Sequence, residues 1–147
     1  MTTATMRVRD LMTPRPATIV AEAPLGVALA TMRERQIRHL PVLEDSGRLV
    51  GILTDRDLRR AMFARARSMH EADRDLMVQD AMSWAVVTIH PDDPLARAAA
   101  VMFEQRVGSL PVVEDGRLVG ILTERDLLRA LMRAYPTRGW DVEDLLW

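Results

Sequence analysis

At 147 residues the chain is long enough for one ordinary domain or two small interlocked ones, and 48% apolar against 28% charged residues is a globular composition. The 20 basic and 21 acidic residues leave a net charge of -1, which argues against bulk electrostatic binding to nucleic acid or an anionic membrane. The sequence has no cysteine, lysine or asparagine, so disulfides, thiolate nucleophiles, cysteine-held zinc, Schiff-base lysines and a phosphate-loop lysine are all excluded.

No apolar run follows Arg9 as a signal peptide would require, and no stretch approaches the ~18 apolar residues of a membrane span. A cytoplasmic protein is expected. In chain order, a short segment ending in Met12 leads into a brief strand around residues 18–20. Pro24 opens a helix over 25–35, with apolar Leu25, Ala28, Leu29 and Met32 at i, i+3, i+4 and i+7. The largely apolar runs 40–43 and 48–53 flank the acidic, glycine-containing turn at residues 44–47, which reads as a hairpin. A last helix starts near Thr54 and runs through Leu58, Ala61 and Met62 to about Arg65.

The same order then recurs. Val8-Arg9-Asp10-Leu11-Met12 matches Val78-Gln79-Asp80-Ala81-Met82, Thr18-Ile19 matches Thr88-Ile89, and Leu40-Pro41-Val42 matches Leu110-Pro111-Val112. After a one-residue slip in the turn, Gly47 to Thr54 recurs residue for residue as Gly116 to Thr123, and Arg56-Asp57-Leu58 recurs as Arg125-Asp126-Leu127. Each repeat therefore reads strand, helix, hairpin, helix, with a second strand around 86–89 and a second helix over 95–105. The expected organisation is repeat 1 over 6–66, a helical tether over 67–77, repeat 2 over 78–133 and a tail over 134–147. Neither repeat has enough strand to bury a sheet alone, so an α/β (α+β) fold of two β-α-β-β-α units packed sheet to sheet about a pseudo-twofold axis is expected.

The Leu-Pro-Val, acidic turn and Gly-Ile-Leu-Thr-x-Arg-Asp-Leu block, repeated at about 70 residues, resembles a tandem pair of CBS domains (a Bateman module) over roughly residues 6–133. The resemblance implies a stand-alone regulatory module, dimeric, that binds adenine nucleotides (AMP, ADP or ATP, in preference to S-adenosylmethionine) and acts on an unknown target protein. The charge balance, the scattered histidines and the absence of a long apolar run separately leave no nucleic acid, no metal, no membrane and no catalytic cofactor expected. The family's nucleotide contacts fall on Thr54 and Asp57 and on Thr123 and Asp126. A carboxylate can accept hydrogen bonds from two ribose hydroxyls, and a helix N-terminus can hold phosphate. Arg38 and His39 match positions that reach ligand phosphates, whereas the second copy has Gly108 and Ser109, so the two sites should differ. Thr18 and Ile19, with Thr88 and Ile89, match the strand lining the adenine pocket. Arg56 and Arg125 are further candidates for phosphate or ribose.

Other readings of these residues stay open. Threonine at a helix N-cap with an acid three residues on is also a capping box, and both roles can coexist. Arg38 and both first-turn arginines also read as solvated surface, and the threonine-isoleucine pairs as ordinary strand. The main functional alternative is a dimeric interaction module whose clefts are vestigial. An enzyme finds no support: His39, His70 and His90 lack metal-ligand spacing, no serine sits in a nucleophile elbow, and the acidic pairs Glu44-Asp45 and Asp92-Asp93 lie in turns. The tail carries Trp140 and Trp147 with Val142, Leu145 and Leu146. Left free it would expose much apolar surface, so it should dock, either on its own module or on a second subunit or a partner protein, with docking within the homodimer favoured.

Overall fold

Helix periodicity and turn chemistry fix the elements of the computed structural model, which describes residues 6–67 and 75–136. A one-turn helix α1 (Val8–Leu11) leads into a short strand β1 (Thr13–Pro14). The first repeat continues as β2 (Ile19–Val20), α2 (Leu25–Arg35), β3 (His39–Leu43), β4 (Leu49–Thr54) and α3 (Asp55–Arg67). The second comprises the one-turn helix α4 (Val78–Ala81), α5 (Leu95–Gln105), β5 (Ser109–Glu114), β6 (Arg117–Thr123) and α6 (Glu124–Ala134). Both long helices after the prolines have the bounds the periodicity predicts. The second brief strand reduces to a bridge in which Ile89 pairs with Val112, while Ile19 pairs with Val42 in a true strand.

The one-residue slip between repeats has a turn-type cause. In the second hairpin Glu114 pairs with Arg117 around Asp115 and Gly116, both at positive φ (52° and 76°), the two-residue turn that Asp-Gly favours. In the first, three residues lie between Glu44 and Arg48, whose backbones bond at 3.0 Å, and only Gly47 takes positive φ. Three-residue loops closing on a left-handed glycine are the next common hairpin.

The two sheets are ordered β2-β3-β4 and β1-β6-β5. The second order reveals a crossing that the repeat pattern alone did not show. Strand β1, from the start of repeat 1, pairs antiparallel with β6 of repeat 2, Thr13 opposite Ile121. Reciprocally, Ser83 bridges Ile52 of β4 with both backbone bonds made, at 3.0 and 2.9 Å. The short helices go with these strands. Val8 and Leu11 bury in the core formed by Leu95, Ala98, Met102, Leu110, Val112 and Leu122, whereas Val78 and Met82 bury in the core of Leu25, Ala28, Met32, Leu40, Val42 and Leu53. Each repeat is completed by the leading segment of the other. The repeated aspartates start these segments: Asp10 accepts from the Arg7 N–H and Asp80 from the Met77 N–H, both at 2.8 Å.

Candidate ligand site

The candidate residues gather where each hairpin runs into the following helix. Register pairs His39 with Thr54 and Ser109 with Thr123, so β3 and β5 deliver residues 38–39 and 108–109 beside the helix starts. The first helical amide of each is tied to that neighbour: the Asp55 N–H donates to the Arg38 carbonyl and the Glu124 N–H to the Gly108 carbonyl, both at 3.0 Å.

At both helix starts the threonine and aspartate hold each other. The Thr54 N–H donates to Asp57 Oδ2 at 2.9 Å, and the Asp57 N–H donates to Thr54 Oγ1 at 3.2 Å. In the second repeat the Thr123 N–H and hydroxyl both donate to Asp126 Oδ2, at 2.9 and 3.1 Å, and the Asp126 N–H donates back to Thr123 Oγ1 at 3.4 Å. The capping reading is therefore realised twice. The copies differ in what is left over. Asp126 is buried and its Oδ1 accepts from Arg129 at 3.5 Å. Asp57 is only half-buried, and among the described residues its Oδ1 accepts no hydrogen bond.

His39 joins the two repeats. A Cβ placed on Gly108 would lie 3.4 Å from His39 Cε1 and 3.5 Å from the Glu124 carboxyl carbon, ordinary contact distances, so position 108 of repeat 2 adjoins both the imidazole of repeat 1 and that carboxylate. His39 Nδ1 is buried without a hydrogen-bond partner among the described residues. Burial pushes the imidazole below its ordinary value, against the opposing pull of Asp55 and Glu124. The sequence showed the 38/108 and 39/109 mismatch but not this contact, which needs the two repeats set face to face.

The remaining candidates are dispersed. Arg38, Arg56 and Arg125 are exposed, as are Thr18 and Thr88. The Ile19 and Ile89 side chains are committed to the cores, and the Ile89 backbone to β5, its N–H donating to the Pro111 carbonyl and its carbonyl accepting from Val113. Of the acidic pairs, Asp92 is held at 2.8 Å by Arg9, which depresses its carboxyl, and Asp93 pairs with Arg97. His90, Asp92 and Glu114 bring ligand atoms within 4.8 Å of one another, but Arg9 contacts both carboxylates and supplies the positive charge there. No helix of the described residues is long and apolar enough to cross a membrane.

The family model of the CBS domain matches residues 8–64 and again 78–133. The chain belongs to the CBS domain family. A CBS domain-containing protein of Dictyostelium discoideum is 37% identical over 132 residues, covering 86% of this chain and 91% of the relative. A homoserine O-acetyltransferase of Methanococcoides burtonii is 34% identical over 125 residues, 84% of this chain, but the chain spans only 24% of that enzyme's length. Among solved structures, CBSX2 in complex with AMP is 31% identical with a TM-score of 0.75, covering 86% of this chain and 96% of the other. A CBS domain pair in complex with 5′-methylthioadenosine and S-adenosyl-L-methionine is 29% identical with a TM-score of 0.76 and the same coverage. Two sheets with the helices on them are the architecture of these CBS pairs, as the repeat pattern implied.

Proposed function

We propose that this CBS pair is a regulatory binding module that takes adenosine nucleotides of the AMP, ADP and ATP class at the two Thr-x-x-Asp helix starts. The observation that carries the reading is the duplicated placement of a carboxylate at a helix N-terminus beside a β-hairpin end, in a chain similar to pairs solved with AMP and with 5′-methylthioadenosine and S-adenosyl-L-methionine. Asp57 and Asp126 would accept from the ribose hydroxyls, Thr54 and Thr123 would face the phosphate with Arg38, His39, Arg56 and Arg125 around it, and Thr18 and Thr88 would flank the base. The spare Asp57 oxygen and the basic pair 38–39 favour the first site. The second site must give up a bond to Arg129 and has no cation at 108–109. S-adenosylmethionine, which brings its own positive charge, gains nothing from those arginines. Catalysis has no part in this reading. A cytoplasmic homodimer that passes occupancy to a target protein completes it, since a ligand touching both repeats would bias their relative angle.

Isothermal titration tests the assignment. AMP, ADP or ATP should give two unequal binding events, with Asp57→Ala selectively weakening the tighter and Asp126→Ala the weaker. A hydrogen-bonded charge lost from either site should weaken it about tenfold or more. Unchanged binding in both variants would move the ligand elsewhere. A second reading, an interaction module with unused clefts, is favoured by the capping boxes that already engage both threonines and aspartates; absence of any binding by the wild type would select it.

A further inference from the structure

One imidazole lies between two helix starts. His39 stands opposite Thr54 in the register of β3 and β4, and directly opposed residues of an antiparallel pair share a face, with Cβ atoms about 4.5–5.5 Å apart. Thr54 opens α3 through its bonds to Asp57. On its other side His39 meets the second repeat. The point where a Cβ on Gly108 would sit is 3.4 Å from His39 Cε1 and 3.5 Å from the carboxyl carbon of Glu124, the first residue of α6. The matching position of repeat 2 is Ser109, opposite Thr123, and a serine hydroxyl does not titrate near neutral pH. The two starts therefore have one titratable ring between them, and it belongs to repeat 1.

The groups facing the ring hold it in balance. Asp55 and Asp57 of α3 and Glu124 of α6 favour the imidazolium, Arg38 on its own strand opposes it, and burial, the largest influence, holds the ring below its ordinary value. His39 Nδ1 is buried and has no hydrogen-bond partner among the described residues. A phosphate at the Thr54 helix start adds negative charge on the face that His39 shares with Thr54, and it offsets Arg38. Both changes favour uptake of a proton. Arg38 keeps its charge throughout, whereas histidine is the side chain in which such a change crosses the physiological range. Uptake turns the acceptor nitrogen of the ring into a second N–H donor, and the Glu124 carboxylate of the other repeat is the acceptor close by.

We infer that His39 is a proton-linked sensor of phosphate: it takes up a proton when an anionic nucleotide occupies the first helix start and, as imidazolium, ties that ligand to Glu124 of the second repeat. The inference rests on the nucleotide placement proposed above. It gives the pair a means of telling phosphorylated from unphosphorylated adenosine. It also makes affinity at the first start rise as pH falls between the ring's bound and free midpoints, by up to about tenfold per pH unit for one linked proton.

Carbon-13 NMR of the full-length protein, labelled at histidine Cε1, reads the charge of each ring. Three resonances are expected, from His39, His90 and His70, the last lying, with most of the 67–77 tether and the tail from 137, outside the described residues. His39→Gln identifies the His39 signal by removing it. With AMP, ADP and ATP each tried, a saturating nucleotide should raise the His39 midpoint by about one pH unit or more, a tenfold gain in proton affinity, and adenosine should leave it in place. Glu124→Gln, an exposed substitution, should shrink the nucleotide-induced rise. A nucleotide that shifts other resonances but leaves the His39 midpoint unmoved would refute the proton link while the nucleotide site stands. An equal rise with adenosine would refute phosphate sensing, and a rise undiminished in Glu124→Gln would refute the tie to the second repeat. If no resonance responds to any of the three nucleotides at millimolar concentration, the nucleotide reading falls and the sensor with it.

Discussion

His39 is where the two halves of this molecule meet as individual groups. Its ring lies beside Gly108 of the other repeat, near the Glu124 carboxylate, and its residue stands opposite Thr54 in the hairpin register. Burial is the largest influence on it and lowers its proton affinity, while Asp55, Glu124 and Asp57 raise it and Arg38 lowers it. The folded protein thus binds this proton less readily than the unfolded chain does. Stability from this residue is complete above the ordinary imidazole value of 6.5 and is lost as pH falls from there through the lower folded value. Chemical denaturation should accordingly show stability declining as the buffer is taken below that point, and His39→Gln should flatten that part of the profile. A profile identical in the variant would mean that the imidazole is not desolvated as described. The mismatch of 38–39 with 108–109 was legible in the sequence; the contact was not, because residues 69 apart meet only through the packing of two repeats.

Among the elements, the exchanged leading segments explain the most repeated residues. Gly51 and Gly120 sit where α4 and α1, with the chain that follows each, cross β4 and β6. A Cβ at Gly120 would lie 2.5 Å from Met12 Sδ and 3.0 Å from the Thr13 carbonyl oxygen; at Gly51 it would lie 2.8 Å from both Met82 Sδ and the Ser83 carbonyl oxygen. The obstacle includes backbone, which yields less than a side chain. Gly51→Ala and Gly120→Ala should each cost about 1–3 kcal/mol by overpacking. Gly26, in α2 with nothing within 4 Å, is the control, and Gly26→Ala should add about 0.5–1 kcal/mol. Urea midpoints for the three variants test this, and a neutral Gly120→Ala would remove the close crossing from the account. Periodicity found α2 and α5 because both bury one clean stripe, Leu25, Ala28 and Met32 in one and Leu95, Ala98 and Met102 in the other. It could not find α1, α4 or β1: one turn of helix and two residues of strand are too short to carry a period, and their buried faces are supplied by the other repeat.

At the scale of the whole molecule, duplication makes the fold legible, and the unequal partners of Asp57 and Asp126 make the two helix starts differ. The repeated block placed both hairpins and both Thr-x-x-Asp helix starts correctly, since these depend on local turn and capping chemistry. What the sequence left open is what those aspartates do, because one geometry serves capping and ribose binding alike. The exchange of segments ties each core to both halves of the chain, so a ligand in either cleft should stabilise the entire module. The most direct measurement of the central claim is thermal unfolding with AMP, ADP, ATP, S-adenosylmethionine and GTP at equal concentration. A ligand present at about 100 times its Kd adds about 2.7 kcal/mol, which for a chain this size raises Tm by about 5–10 °C. Such a shift is expected with at least one of AMP, ADP and ATP, a smaller one with S-adenosylmethionine and none with GTP. An unmoved Tm with all three adenine nucleotides, or an equal rise with GTP, would contradict it.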